Sequence, residues 1–209
     1  MLSRIMHELR EHAPFTLFGA LTGVIFMFSL RNISHEVAHG LFYVFHPLHI
    51  ALSAVVTTSL YKMYLAKEKP GVKIFFKILA VGYFGSVAVG TLSDSLIPFW
   101  GEKLLNMPHA HLHLGFIDKW YFINPVAIIA ILIAYKKPCT KFPHALHVLI
   151  STWASLFHML MAADSSQQVS YFGIFIFLFI AVWIPCCFSD IIFPLLFVKD
   201  KNAVKSCCH

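Results

Sequence analysis

Residues 72–100, VKIFFKILAVGYFGSVAVGTLSDSLIPFW, decide the class of fold. Two lysines lie near the start of this segment, and after them no charged residue occurs before Asp94. About 20 consecutive apolar residues in a helix are enough to cross the hydrocarbon core of a bilayer. A surface helix of a soluble protein would carry a charged face, which is missing here. The segment therefore predicts a membrane-spanning helix.

The whole chain has the same character as this segment. Of its 209 residues, 58% are hydrophobic and 12% are charged, and the mean hydropathy is +0.73. Soluble domains have about a quarter of their residues charged. Disorder is excluded, because so much apolar surface would not stay solvated. We expect a single polytopic, all-α integral membrane domain over residues 1–209, with the lipid bilayer around it and no nucleic-acid partner.

Five further apolar stretches bring the predicted number of transmembrane helices to six. They comprise residues 13–30, about 37–65, 120–135, 142–163 and 169–198. The third and sixth spans contain Pro98 and Pro194, and proline removes a backbone hydrogen bond of a helix. We therefore expect the third and sixth helices to be broken.

The basic residues predict the orientation of these spans. With six spans, only three of the 16 Lys and Arg residues, namely Arg31, Lys103 and Lys119, lie on the side opposite the termini. An excess of Lys and Arg marks the cytoplasmic side. We expect short cytoplasmic N- and C-terminal tails, and the plasma (inner) membrane as the location.

Two short motifs recur in the same order and at nearly equal spacing. Residues 46–53, HPLHIALS, resemble residues 144–151, HALHVLIS, and residues 93–98, SDSLIP, resemble residues 189–194, SDIIFP. Each half, about 13–100 and about 120–198, then has three spans. Because three is odd, the second half enters the membrane from the opposite side. This predicts an inverted repeat of 3+3 helices, an architecture found in many secondary transporters.

The repeated motifs carry groups that bind metal ions. A charged side chain in hydrocarbon costs about 3 kcal/mol or more, so an aspartate there faces a cavity or a partner. Histidines three residues apart share a helix face and suit metals such as Zn, Ni and Co. The predicted half-sites are His46, His49 and Asp94 toward the outer side, and His144, His147 and Asp190 toward the inner side. The alternative interpretation is that the aspartates cap helices and the histidines pack at the interface.

Further candidate ligands lie in the loops and the C-terminal tail. Two His-rich segments predict an outer metal-collecting patch that also includes Glu36 and Glu102. Its histidines are His35, His39, His109, His111 and His113. The odd number of cysteines and their adjacent pairs make a poor disulfide framework. Cys186, Cys187, Cys207 and Cys208 are therefore candidate soft-metal ligands. His158 is a single histidine in the fifth span and is expected to pack in the core.

These features predict a secondary transporter for a divalent transition metal ion. The chain has no Walker motif, which argues against ATP hydrolysis within it. The ion would pass between the two half-sites by alternating access, with Zn, Ni, Co, Mn and Fe all open as its identity. The direction of transport and the formation of a homo-oligomer also remain open.

An enzymatic alternative depends on residues 35–39, HEVAH, which match H-E-x-x-H. This segment resembles the motif of intramembrane site-2-type metalloproteases. The resemblance implies that His35 and His39 bind zinc and that Glu36 acts as the general base. The second signature of that family, N-P-x-x-x-L-D-G, is absent, because no Asp follows Asn124 and Pro125 at that spacing. Asp94 would then have to provide the third ligand.

A further alternative is a haem-binding redox protein. In that case His46 or His49 would bind the haem iron together with His144, His147 or His158.

Overall fold

A computed structural model describes the backbone of residues 2–66, 68–69, 71–139, 141–164 and 170–198. Side chains are described for the same ranges except residues 2–5, 7–8, 11, 141–145 and 190–191. Over these residues the fold is helical, with nine α-helices and two π-helical turns. They are α1 Leu2–Ser29, α2 His35–Tyr64, α3 Val72–Thr91, π1 Leu92–Leu96, α4 Ile97–Leu104, α5 Gly115–Asp118, α6 Trp120–Lys136, α7 Lys141–Ala162, α8 Tyr171–Cys187, π2 Phe188–Ile192 and α9 Phe193–Leu196.

Local signals explain where several helices begin. The Ser34 hydroxyl accepts a hydrogen bond from the Val37 N–H at 3.3 Å, and Ser170 does the same for Gly173 at 3.1 Å. A serine at this position satisfies one of the backbone donors that the first turn of a helix leaves unpaired. As a result, α2 already begins at His35, and the H-E-x-x-H segment belongs to its first turns rather than to a preceding loop.

Within the described part of the chain, three helical segments are long and apolar enough to cross a membrane. They are His12–Ser29, His35–Tyr64 and Val72–Leu104. Three shorter apolar helices, Trp120–Lys136, Leu146–Ala162 and Tyr171–Cys187, accompany them. A 17-residue helix is about 25 Å long, slightly less than the roughly 30 Å of a bilayer core. The fold is therefore that of a helical membrane protein.

The distribution of polar and apolar side chains supports the same conclusion. Phe18, Ile25 and Phe28 on α1 are each 60% exposed, and similar residues cover the outer faces of α3, α6 and α8. Histidine, serine and threonine side chains of α2 and α7 are buried in the interior. An exposed apolar surface of this size is unfavourable in water but favourable against lipid.

The two predicted spans that contain Pro98 and Pro194 have π-helical turns instead of the breaks predicted from these prolines. The N–H of Ile97 bonds to the Leu92 carbonyl, and the N–H of Phe193 bonds to the Phe188 carbonyl. Each bond spans five residues, so the turn holds one more residue than an α-turn. The wider turn lets the helix continue past a proline that cannot donate. Thus α3 continues through π1 into α4, and α8 continues through π2 into α9.

Helices α2 and α7, which carry the two H-x-x-H motifs, pack against each other at the centre of the fold. The other contacts occur in matching pairs. Helix α1 contacts α7 and α8, and α6 contacts α2 and α3. Likewise, π1 and α4 contact α7 and α8, whereas π2 and α9 contact α2 and α3. Each of these contacts thus has a counterpart with the halves exchanged.

Candidate metal centre

Asp94, at the centre of π1, is fully buried and holds four side chains together. Its Oδ2 lies 2.9 Å from Nδ1 of His46 and 2.8 Å from Nδ1 of His49. Its Oδ1 accepts hydrogen bonds from the hydroxyls of Ser93 at 2.7 Å and Ser151 at 2.8 Å. The structure therefore brings His46, His49 and Asp94 together, as the sequence predicts.

The carboxylate determines which nitrogen of each histidine is available. An ionised carboxylate can only accept, so Nδ1 of His46 and Nδ1 of His49 must both donate to Asp94. A neutral imidazole with its proton on Nδ1 has a lone pair on Nε2. This carboxylate–histidine arrangement is the one that fixes metal-binding imidazoles in proteins. Asp94 thus has the position of a residue that orients the ligands.

A cysteine and a second histidine lie on the Nε2 side of His49. The Sγ atom of Cys186 is 3.8 Å from Nε2 of His49. One donor atom each from His49, His147 and Cys186 lies within 4.8 Å of the other two, and all three residues are buried. The three residues come from α2, α7 and α8. We call this set the central cluster.

The central cluster joins the two repeated motifs at one place. The rings of His49 and His147 are nearly parallel, with centroids 5.9 Å apart. The sequence analysis expected one half-site toward each side of the membrane. The structure instead brings these two histidines together, because α2 and α7 pack against each other. The side chains of His144 and Asp190 lie outside the described residues, as do Cys207 and Cys208.

Serine and threonine hydroxyls link the two halves around this cluster. Ser151 Oγ lies 3.3 Å from Ser93 Oγ, and Ser53 Oγ lies 3.2 Å from Ser189 Oγ. Ser53 and Ser151 end the repeated H-x-x-H motifs, and the other two serines begin the S-D-x-x-x-P motifs. Each half therefore contributes the serine that contacts the other half.

Sequence reasoning grouped Cys186 and Cys187 together, but the structure separates them. Cys187 is 3% exposed, and it does not belong to the set of donors formed by Cys186. Adjacent residues of a helix point about 100° apart, so only one of the two thiols can face α2 and α7.

The outer histidines divide into two groups. His35 and His109 line a cavity of about 280 Å³ together with Arg31 and Asp164. The other three predicted members of the patch have neighbouring rings. Centroid distances are 5.8 Å between His39 and His113 and 5.0 Å between His111 and His113. Burial, together with the nearby imidazoles of His158 and His111, lowers the pKa of His113 to about 4.

One pair of residues in this region was not predicted as a pair from the sequence. Nδ1 of His158 lies 2.6 Å from Oε1 of Glu102, and both side chains are buried. His158 was expected only to pack in the core, and Glu102 was assigned to the outer metal-collecting patch. They lie 56 positions apart in the chain, so no local spacing could indicate this pair. The one signal in the sequence was the presence of an acidic residue in a largely apolar segment, where it needs a partner.

The geometry does not favour the two alternative functions, a zinc metalloprotease and a haem-binding redox protein. His39 precedes His46 by two helical turns, about 10 Å along α2, and Asp94 is bonded to His46 and His49. Asp94 is therefore not placed to complete a zinc site with His35 and His39. The donors of the central cluster are close together among packed helices, so the space between them suits an ion better than a porphyrin.

Comparison with protein-family models, curated proteins and solved structures gives no match for this chain.

Proposed function

We propose that the protein is a secondary transporter of a divalent transition metal ion, which binds to His49, His147 and Cys186. The observation that carries this proposal is the meeting of the two repeated motifs at one buried set of nitrogen and sulfur donors. Buried donors that converge from three different helices suit the binding of an ion from the membrane interior.

The spacing of the donors agrees with a zinc-like ion. For Zn–N bonds of about 2.0–2.1 Å and Zn–S bonds of about 2.3 Å, a tetrahedral site separates nitrogen and sulfur by about 3.6 Å. Cys186 Sγ and His49 Nε2 are 3.8 Å apart. Three protein ligands leave a fourth position for water, which a site that must release its ion requires. A thiolate with two imidazoles favours Zn, Co or Ni over the harder Mn.

The same proposal includes six spans and an inverted repeat of three helices each. It is supported by the paired helix contacts, the two π-helical turns and the crossed serine contacts between the halves. Inverted-repeat transporters bind their substrates near the bilayer midplane, where the repeats meet and helices depart from regular geometry. The central cluster lies at the corresponding place between the halves of this chain.

The charge distribution adds the orientation to the proposal. Both termini are cytoplasmic, because the basic residues concentrate on the side of the termini. The proposed location is the plasma (inner) membrane. The ion and the surrounding lipid are the proposed partners. The outer histidines suit uptake, and the thiol of the central cluster suits capture from either side.

The test combines zinc binding with zinc flux. The purified protein in detergent is titrated with Zn²⁺, and proteoliposomes containing a zinc-sensitive dye report transport. We expect His147→Ala and Cys186→Ser each to weaken Zn²⁺ binding at least tenfold and to abolish flux, since each removes one of three ligands. With Co²⁺ in place of Zn²⁺, Cys186→Ser is also expected to remove the thiolate charge-transfer absorption.

Cys187→Ser is the matched control, because it changes a buried thiol one position away. It should leave both binding and flux near the wild-type values. Wild-type flux in the Cys186→Ser and His147→Ala proteins, with normal folding by circular dichroism, would overturn the proposal.

A further inference from the structure

A second group of donors joins three histidines of the predicted outer patch to a buried carboxylate–histidine pair. We call it the His113 cluster, and it consists of His39, His111, His113, His158 and Glu102. It differs from the patch predicted from the sequence, because it includes buried His158 and excludes His35 and His109.

The buried end of the His113 cluster is a carboxylate–histidine pair. Oε1 of Glu102 lies 2.6 Å from Nδ1 of His158. Nε2 of His158 and Oε2 of Glu102 are both buried and have no hydrogen-bond partner. A buried polar atom without a partner costs about 1–3 kcal/mol. A ligand that binds to Nε2 of His158 would offset this cost.

The other rings surround His113 at distances slightly longer than those of imidazoles that share an ion. Centroids of His158, His111 and His39 lie 5.5, 5.0 and 5.8 Å from that of His113. Two imidazoles on one tetrahedral zinc ion have centroids about 5 Å apart, given Zn–N bonds of about 2.0–2.1 Å.

The burial of the donors increases from outside to inside. His111 is exposed, His39 and His113 are half-buried, and His158 and Glu102 are buried. Among the described residues, only the central cluster already has three donors within 4.8 Å of one another. The His113 cluster must therefore move its rings closer to hold an ion. His111 and His113 lie in the irregular segment between α4 and α5, where such a movement costs little.

We propose that the His113 cluster is a second metal-binding site, which captures the ion on the outer side before it reaches the central cluster. Binding at this site is independent of the proposed function, whereas its role in capture depends on it. Phe42 lies between His158 of this cluster and His46, which shares Asp94 with His49 of the central cluster. Its ring stacks on His46 with centroids 5.0 Å apart and contacts His158 edge-on at 5.3 Å.

The experiment counts the Zn²⁺ ions that the purified full-length protein binds in detergent, by equilibrium dialysis with elemental analysis. We expect two ions per wild-type chain, one in His113→Asn and one in Cys186→Ser. The double variant should bind none. His109→Asn is the matched control, since this exposed histidine of the same segment lies outside the cluster, and it should still bind two.

Because His158 is buried, Glu102→Gln provides a second test that keeps the size of the side chain. It should weaken one of the two sites by about 10–100-fold, as expected for the loss of a carboxylate that orients a ligand. Unchanged stoichiometry in His113→Asn, together with unchanged affinities in Glu102→Gln, would overturn the second site but leave the proposed function intact. If Cys186→Ser instead keeps both ions, the central cluster fails and the outer site stands.

Discussion

Replacing Asp94 by asparagine tests whether this residue orients the histidines or binds the ion itself. Asparagine has nearly the same shape but no charge. Its carbonyl oxygen can still accept from Nδ1 of His46 and of His49, while its amide group faces Ser93 and Ser151, whose hydroxyls can rotate to accept. The substitution therefore keeps the arrangement of side chains and removes the carboxylate.

The expected magnitude follows from the contact with His49, the one of the two bonded histidines that belongs to the central cluster. A hydrogen bond to a charged group contributes about 1.5–3 kcal/mol, and a neutral one about 0.5–1.5 kcal/mol. One bond that changes from the first kind to the second loses about 1.3 kcal/mol, which corresponds to roughly tenfold in affinity. This lies at the lower end of the 10–100-fold range typical of a residue that supports a metal ligand.

The assay is Zn²⁺ titration of the Asp94→Asn protein, combined with X-ray absorption spectroscopy of the bound ion. We expect an affinity roughly tenfold lower than in the wild type, with the same nitrogen and sulfur ligands. Ser151→Ala is the matched control, because it removes a donor from the other carboxylate oxygen and should change affinity only a few-fold. Wild-type affinity in Asp94→Asn, or the loss of an oxygen ligand from the spectrum, would refute the orienting role.

Three other substitutions and labelling experiments check the fold and the alternatives. Gly82→Ala should destabilise the protein by about 1–3 kcal/mol in thermal unfolding, because a Cβ there overlaps a buried threonine hydroxyl of α2. Gly40→Ala has open space and should raise stability by up to about 1 kcal/mol. Glu36→Gln should leave zinc binding and flux unchanged. If the wild-type protein cleaves a substrate and the Glu36→Gln variant does not, the protease alternative is favoured instead. With the two tail cysteines replaced by serine, exposed Cys139 should react with an impermeant maleimide only from the cytoplasmic side, and labelling from outside would reverse the orientation.

Much of the fold could be predicted from the sequence, because a membrane helix is encoded by a continuous run of apolar residues. The apolar runs predicted the helices to within a few residues, apart from the early start of α1. The prolines indicated where the third and sixth spans depart from regular geometry. They could not distinguish a break from a π-helical turn, because the choice depends on the packing of neighbouring helices.

The candidate site was only partly predictable. The H-x-x-H spacing places His46 and His49 on one face of α2, and that face is the one Asp94 contacts. The contribution of Cys186 and the pairing of Glu102 with His158 depend on contacts between distant helices. A single sequence contains no signal for such contacts beyond the residue types themselves.

The π-helical turn in the third span also determines the direction of the helix after it. Each residue rotates a helix by about 100°, so the additional residue in π1 changes the rotational phase of α4 relative to α3. Asp94 within π1 contacts His49 of the central cluster, and Glu102 after π1 contacts His158. Deleting one residue between Asp94 and Glu102 would turn Glu102 away from His158 and leave both acids in the chain. The length of this segment is therefore constrained as well as the identity of Asp94, and an insertion or deletion there will separate the two contacts even where it spares both carboxylates.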